Sequence, residues 1–387
     1  MSVAGSAESS GVPFIVDCDV HPVLPDGIAS AFPYLPGEWR RRFEEVSSTQ
    51  HSFGGLGGFR HPLPPLKVDA TPPNGGLPGS DPEFTRVDLL DRLGVNRALL
   101  VPLLNINGWV NPDESTVIAG AYNRYFAERW LPVDDRYTLA MMVSALDPVA
   151  AAKEIREFGG TDGVVGAFMP VHNMLMGHRS YYPIYEALEE MDLPIVYHAT
   201  AAEGTMPYAP AFAGGTPSSY AEFFTLIPQI AESQIVSMVW EGVFERFPKL
   251  KVVFLESGWA WVPHLMWRMD SAWRSFRTER PWVRKAPSEY IREHVRFATQ
   301  PYPDAPKQEQ IGQIMEMMDA RNTLVFATDY PHWDGDEGRY IYDKLVRDTD
   351  EQMAERILSS TALDMFPRMR RPLPAELAAT VGAGGAS

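Results

Sequence analysis

The sequence predicts an α/β chain folded as a (β/α)8 TIM barrel, distorted by a long insertion after strand one and a loop insertion after strand five. Three observations predict it. Short apolar runs alternate with amphipathic stretches along the chain, the pattern of parallel β/α units. The runs number eight, the count that closes a barrel. Acidic and histidine side chains stand at the ends of these runs, where the C-terminal strand ends of a barrel carry its chemistry.

The predicted strands are residues 14–21, 98–104, 139–146, 164–170, 194–200, 252–258, 295–300 and 324–330. The helical stretches between them are 81–93, 115–130, 149–158, 182–191, 218–247, 261–276, 304–318 and 351–358. Gly94 closes the first as a C-cap, and Asp147-Pro148 opens the third with an N-cap and a first-turn proline. The fifth is expected to break near Pro228. Residues 22–80 form the first insertion and contain Gly54-Gly55-Leu56-Gly57-Gly58 and Pro62-Leu63-Pro64-Pro65. They read as a lid or pocket wall, or else as a dimerisation arm; residues 203–217 read as a second wall. The glycine run lacks a Gly-Lys-Ser/Thr end, so a phosphate loop is not expected. One barrel domain is expected over 13–372, with disordered residues 1–12 before it and a flexible tail over 373–387.

The 387 residues carry 50 acidic against 34 basic side chains, a net charge of −16. That balance argues against nucleic acid and against an anionic membrane surface as partners. No apolar run is long enough for a membrane span, and the first ten residues lack the basic and apolar regions of a signal peptide. With one cysteine, Cys18, no internal disulfide forms, which suits a cytoplasmic location.

Strand one reads Val16-Asp17-Cys18-Asp19-Val20-His21. Side chains alternate faces, so Asp17, Asp19 and His21 share one. Three ionisable groups on a buried face are costly unless a cation or partner compensates them. Asp19 and His21 therefore read as metal ligands. His198 at the end of strand five, Glu256 at the end of strand six and Asp329 at the end of strand eight converge on the same mouth. Mixed carboxylate and imidazole donors without a thiolate suit zinc, manganese or iron. Such an ion lowers the pKa of water and polarises a carbonyl, and Asp329 either binds it or accepts the proton. His172 and His178 after strand four, His332 after strand eight, and Trp259 beside Glu256 are candidate pocket residues. His51 and His61 read as solvated, Cys18 as inert core, and Arg60, Arg179 and Arg339 as unranked partners for a substrate carboxylate.

Asp-x-His on strand one, a histidine ending strand five and Thr328-Asp329-Tyr330-Pro331-His332 ending strand eight resemble the amidohydrolase superfamily. The branch is the amidohydrolase-related group, which includes aminocarboxymuconate semialdehyde decarboxylase and aromatic-acid decarboxylases. Val243-Phe244-Glu245-Arg246-Phe247-Pro248 and Thr361-Ala362 fit it as well. The resemblance implies that Asp19, His21, His198 and Asp329 bind a divalent metal. It also implies a metal-dependent hydrolase acting on a small carboxylate or amide, with Asp329 and His198 as catalytic residues; Glu256, which departs from the family pattern, is expected as an acid or base or as a further metal ligand. Zinc is the first expectation, followed by iron or manganese. The decarboxylases carry a histidine followed by glycines where this chain has Glu256-Ser257-Gly258-Trp259. No lysine ends strand four to form a carbamate bridge. With Glu256 as a further ligand the set could hold two ions, which resembles dinuclear non-haem iron monooxygenase components such as the 2-aminoisobutyrate hydroxylase subunits. A metal-dependent decarboxylase or a non-catalytic subunit would carry the same ligand residues. A homo-oligomer, or a hetero-oligomer with a related barrel subunit, is expected.

Overall fold

The computed structural model describes residues 13–50, 66–104, 106, 109–200, 202–204, 206 and 208–369. The expectations for residues 1–12 and 373–387, for the glycine and proline runs of the insertion, and for His51, Arg60 and His61 lie outside them.

Eight parallel strands form one sheet in sequence order. They are β1 (Val16–Val20), β2 (Arg97–Leu100), β3 (Tyr137–Met142), β4 (Val164–Phe168), β5 (Ile195–Tyr197), β6 (Val252–Phe254), β7 (Val295–Ala298) and β8 (Leu324–Val325). The seam between β8 and β1 closes through Cys18 N–H to Phe326 O at 3.0 Å and His21 N–H to Tyr330 O at 2.7 Å, with a parallel bridge between Val20 and Tyr330. Helices pack on the outside, and the strands are buried throughout, as a parallel sheet covered on both faces requires.

Every strand lies inside or near its predicted segment, and most end early. β8 has two residues in the ladder where seven were expected. Backbone that leaves the ladder at the mouth is free to aim its side chains inward, and the chemistry-bearing residues sit there.

The helix Pro148–Phe158 starts as expected, with Asp147 accepting from Val149 N–H at 3.1 Å and Ala150 N–H at 3.0 Å. The break expected near Pro228 is not there. Helix Tyr220–Trp240 runs through that proline and ends before Gly242, whose φ is 74°. A capping box of Ser219 and Glu222 and the buried Phe223, Ile227, Ile230 and Ala231 hold both sides of Pro228, which outweighs its one missing hydrogen bond. The segment 81–93 begins as helix Pro82–Thr85 and continues as a wider turn over Arg86–Arg92. Helices Pro287–His294 and Gly338–Asp348 had no expectation.

The first insertion is more helical than its composition suggests, with a 3-10 segment Gly27–Tyr34 and a helix Gly37–Gln50. Both its ends are fastened at the mouth. Val23 N–H donates to Gly79 O at 2.8 Å, Lys67 N–H donates to Pro331 O at 2.8 Å, and Leu66 forms an antiparallel bridge with His332.

Candidate metal centre

Asp19 lies in β1, and His21 is the first residue beyond Val20. His198 is the first residue after β5, Glu256 the second after β6, and Asp329 the fourth after β8. Glu256 (φ 45°) and Asp329 (φ 58°) adopt the left-handed backbone that side chains with a Cβ rarely enter. Such strain persists where the surroundings over-determine it, commonly at functional sites.

One ligand atom from each of Asp19, His21, His198 and Asp329 lies within 4.8 Å of all the others, and all four residues are buried. His21 Nε2 is 3.3 Å from Asp19 Oδ1 and 2.9 Å from Asp329 Oδ1, and His198 Nε2 is 3.3 Å from Asp19 Oδ2. Donors about 2.0–2.2 Å from one ion stand roughly 3–3.5 Å apart, so this spacing fits a shared cation. His21 Nδ1 bonds the carbonyl of Val101 at 3.0 Å, and His198 Nδ1 bonds that of Ala199. A carbonyl only accepts, so each Nδ1 carries its proton and each Nε2 is turned to the cluster as a ligand. Both oxygens of Asp19 and Nε2 of His198 are buried without a hydrogen-bond partner. Buried carboxylates are normally satisfied, so the donor set fits a divalent ion.

Charge around the cluster is polarised. Burial opposes the charged form of His198, but Asp19 and Glu256 outweigh it and raise its pKa to about 10. Burial, then His332 and His21, act on Asp329, and the histidines win, holding its carboxyl well below the usual range. Glu256 goes the other way. Burial and the neighbouring Asp329 charge push it up to about 8, so it carries a proton at neutral pH. Its Oε2 lies 3.5 Å from His198 Nε2.

Asp17 is not part of the cluster. It accepts from Thr328 N–H at 2.9 Å, Thr328 Oγ1 at 2.5 Å and Asp19 N–H at 3.1 Å, tying β1 to the segment after β8. Of the candidate pocket residues, His332 bonds Asp329 Oδ1 through Nδ1 at 2.5 Å. His172 is buried with neither ring nitrogen hydrogen-bonded. The other two make no contact with the four ligands among the hydrogen bonds and ring contacts of the described residues. His178 is exposed, its Nδ1 capping a short turn through Ser180 N–H at 3.2 Å. Trp259 is fully buried, its indole N–H on Thr299 O at 3.3 Å and its ring against Tyr302.

Three residues were missed. Gln300, fully buried after β7, donates Nε2 to Asp329 Oδ2 at 3.3 Å and Asp334 Oδ2 at 3.4 Å. Asp334 joins Glu256 and Asp329 in a second acidic group within 4.8 Å. The charges of Glu256, Asp334 and Asp329 also bear on the phenol of Tyr220. The signal for Asp334 was its place five residues after Asp329, and that for Gln300 its place at the end of predicted strand seven; nothing in the sequence singled out Tyr220.

A model of the amidohydrolase family matches residues 16–368. The chain belongs to the amidohydrolase family. An amidohydrolase from Mycobacterium avium subsp. paratuberculosis K-10 is similar over 92% of this chain and 98% of its own, with a TM-score of 0.68 and 19% identity. A 5-carboxyvanillate decarboxylase from Sphingomonas paucimobilis is similar over 92% and 99%, with a TM-score of 0.63 and 17% identity. A dihydroxybenzoic acid decarboxylase from Polaromonas sp. JS666, solved with manganese and the inhibitor 2-nitroresorcinol, is similar over 93% and 98%, with a TM-score of 0.62 and 16% identity. At these identities the likeness is one of fold. Among the described residues, no helix is long and apolar enough to cross a membrane.

Proposed function

We propose that this amidohydrolase-family chain is a metal-dependent hydrolase that cleaves a small organic carboxylate or amide. Asp19, His21, His198 and Asp329 hold one divalent ion. The observation that carries the reading is the buried cluster of Asp19, His21, His198 and Asp329, in which both Asp19 oxygens and Nε2 of His198 have no hydrogen-bond partner. Beside it, burial raises the pKa of Glu256 while the neighbouring histidines lower that of Asp329, and environments that separate two such groups mark out the acid from the base or ligand. When bound, a divalent ion supplies Lewis acidity toward water and a substrate oxygen. Asp329, braced by His332 and Gln300, keeps its charge and its orientation. Glu256 holds a proton at Oε1 or Oε2 and releases it to the departing group, and the carboxylate left behind takes up the proton lost by the attacking water, which restores the starting state. The His21 and His198 rings are fixed through Nδ1, so their Nε2 atoms keep their aim.

Decarboxylation is the second reading. The observation favouring it is again the protonated Glu256, because replacing a carboxylate by hydrogen needs a proton donor. The manganese in the Polaromonas relative supports manganese beside zinc as the ion. Small amides and esters, 2,6-dihydroxybenzoate and 5-carboxyvanillate, followed by product analysis and CO2 release, separate the two reactions. His198→Ala and Asp329→Ala are expected to lose metal by elemental analysis while keeping the fold by circular dichroism. Full metal content in both variants would sink the assignment.

A further inference from the structure

The N-terminal end of the barrel carries none of the metal ligands, yet it gathers cations that have no counterion. Lys251 directly precedes β6, and Arg296 is the second residue of β7. Arg296 pairs with Val253 across the sheet, and Lys251 stands two residues before Val253. Side chains alternate along a strand, so both cations lie on one face. Both line a cavity of about 590 Å³. Arg296 is only 6% exposed. Its Nη1 donates to the carbonyls of Arg292 at 3.0 Å and Val295 at 2.9 Å, where helix Pro287–His294 ends. Its Nε is buried with no hydrogen-bond partner. Among the described residues, neither Lys251 nor Arg296 forms an ion pair. The acids of the same wall are already engaged: Glu293 by Lys285, Asp364 by Arg356 at 3.2 Å, Asp319 by Asn322 at 2.9 Å and Glu289 by Ala286 N–H at 3.1 Å.

Burying a charge is costly unless it is paired, and a like charge on the same face adds to the cost. Burial, and the Arg296 charge after it, hold the Lys251 ammonium below its usual range. A chain keeps such a pair where an anion completes it. A guanidinium and an ammonium facing one cavity are the donors that seat a tetrahedral oxyanion. The cavity has the size of a small-molecule site and exceeds what a bare ion needs. We propose that Lys251 and Arg296 form a second ligand site, at the end of the barrel opposite the metal centre, for a phosphate group. The free edge of the Arg296 guanidinium and the Lys251 ammonium donate to the phosphate oxygens, and the rest of the cavity takes whatever body carries that group. The site shares no residue with the metal cluster and does not rest on the metal-dependent reading.

Isothermal titration calorimetry of the full chain with inorganic phosphate, glucose 6-phosphate and glucose tests it. Phosphate is expected to bind and glucose is not. Tighter binding of the ester than of phosphate assigns the site to organic phosphates, and equal or weaker binding assigns it to the free ion; the proposal stands on either. Lys251→Met is expected to weaken phosphate about tenfold, and Arg296→Met by more, both with metal content unchanged. Without phosphate, Lys251→Met relieves the like-charge repulsion and is expected to unfold at the same or a higher urea concentration than wild type. Added phosphate is expected to raise the midpoint of wild type and leave that of Lys251→Met nearly unmoved. If circular dichroism shows Arg296→Met unfolded, Lys251→Met carries the test alone. A wild type that binds no phosphate overturns the proposal. So does a Lys251→Met variant that binds phosphate within about twofold of wild type, which would put the anion at the metal mouth instead.

Discussion

Asp17 and Asp19 stand two residues apart on one fully buried strand, and their surroundings are opposite. Asp17 accepts three hydrogen bonds, two of them from Thr328 across the β1–β8 seam. Asp19 accepts none, and its two oxygens lie 3.3 Å from Nε2 of His21 and of His198. An unsatisfied buried carboxylate costs several kcal/mol. A chain keeps one where a ligand completes it. The lower layer holds the barrel shut by satisfying its own polar groups, and the upper layer keeps them for a cation. Residue type and burial are the same in both; the partners differ.

The sharpest way to break that comparison is to truncate both residues. Asp17→Ala leaves Thr328 N–H and Oγ1, and Asp19 N–H, without their acceptor. At about 1–3 kcal/mol for each stranded group, the expected loss is about 4 kcal/mol. Asp19→Ala removes a carboxylate that has no hydrogen bond to lose. It is expected to match or exceed wild-type stability in EDTA, while losing metal. Urea denaturation in EDTA, paired with metal analysis, reads both. Equal destabilisation by the two substitutions would erase the distinction between the layers.

This distinction was half legible in the sequence. Period-two alternation put Asp17, Asp19 and His21 on one face, and the order of the strand ends put His198, Glu256 and Asp329 at the same mouth. The barrel was legible for the same reason, since eight buried parallel strands write themselves as eight apolar runs. What could not be read was partnership. Asp17 is a brace because Thr328 lies 311 residues away in sequence and beside it in space. Gln300 stood at a predicted strand end, but its bond to Asp329 exists only once β7 and β8 are assembled. Pro228 misled for a local reason: its cost to a helix is real, but packing on both sides exceeds it.

Glu256 belongs to the upper layer but differs from Asp19 in holding a proton. Glu256→Gln is expected to keep metal and lower turnover by about 10²-fold, the usual scale of a lost general acid. In the wild type, activity falls on the alkaline side as Glu256 ionises. The free group changes charge near pH 8, and a bound cation favours the carboxylate and moves that limb below 8. The glutamine variant lacks the limb. A pH–rate profile of metal-loaded wild type and variant shows it; an identical alkaline limb in both would remove Glu256 as the proton carrier.

His172 sharpens the comparison from a third side, because it is unsatisfied like Asp19 but lies outside the charged cluster. The Tyr208 carbonyl beside it is taken by Asn173 N–H at 2.8 Å, and neither imidazole nitrogen has a hydrogen bond. Burial lowers its pKa from 6.5 to about 4. Between those values the folded chain binds fewer protons than the unfolded one, so stability rises with pH across that window. Its contribution is complete above pH 6.5, falls as the unfolded histidine protonates, and is lost in full near pH 4. At pH 5 the expected loss is about 2 kcal/mol. His172→Leu never charges, so subtracting its urea-derived stability from that of wild type at pH 7 and pH 5 cancels the other titrating groups. A difference near 2 kcal/mol between the two pH values is expected, with metal content unaltered in the variant. Loss of metal instead would place His172 with Asp19 in the upper layer, and a flat difference would mean that its ring is hydrated rather than buried dry.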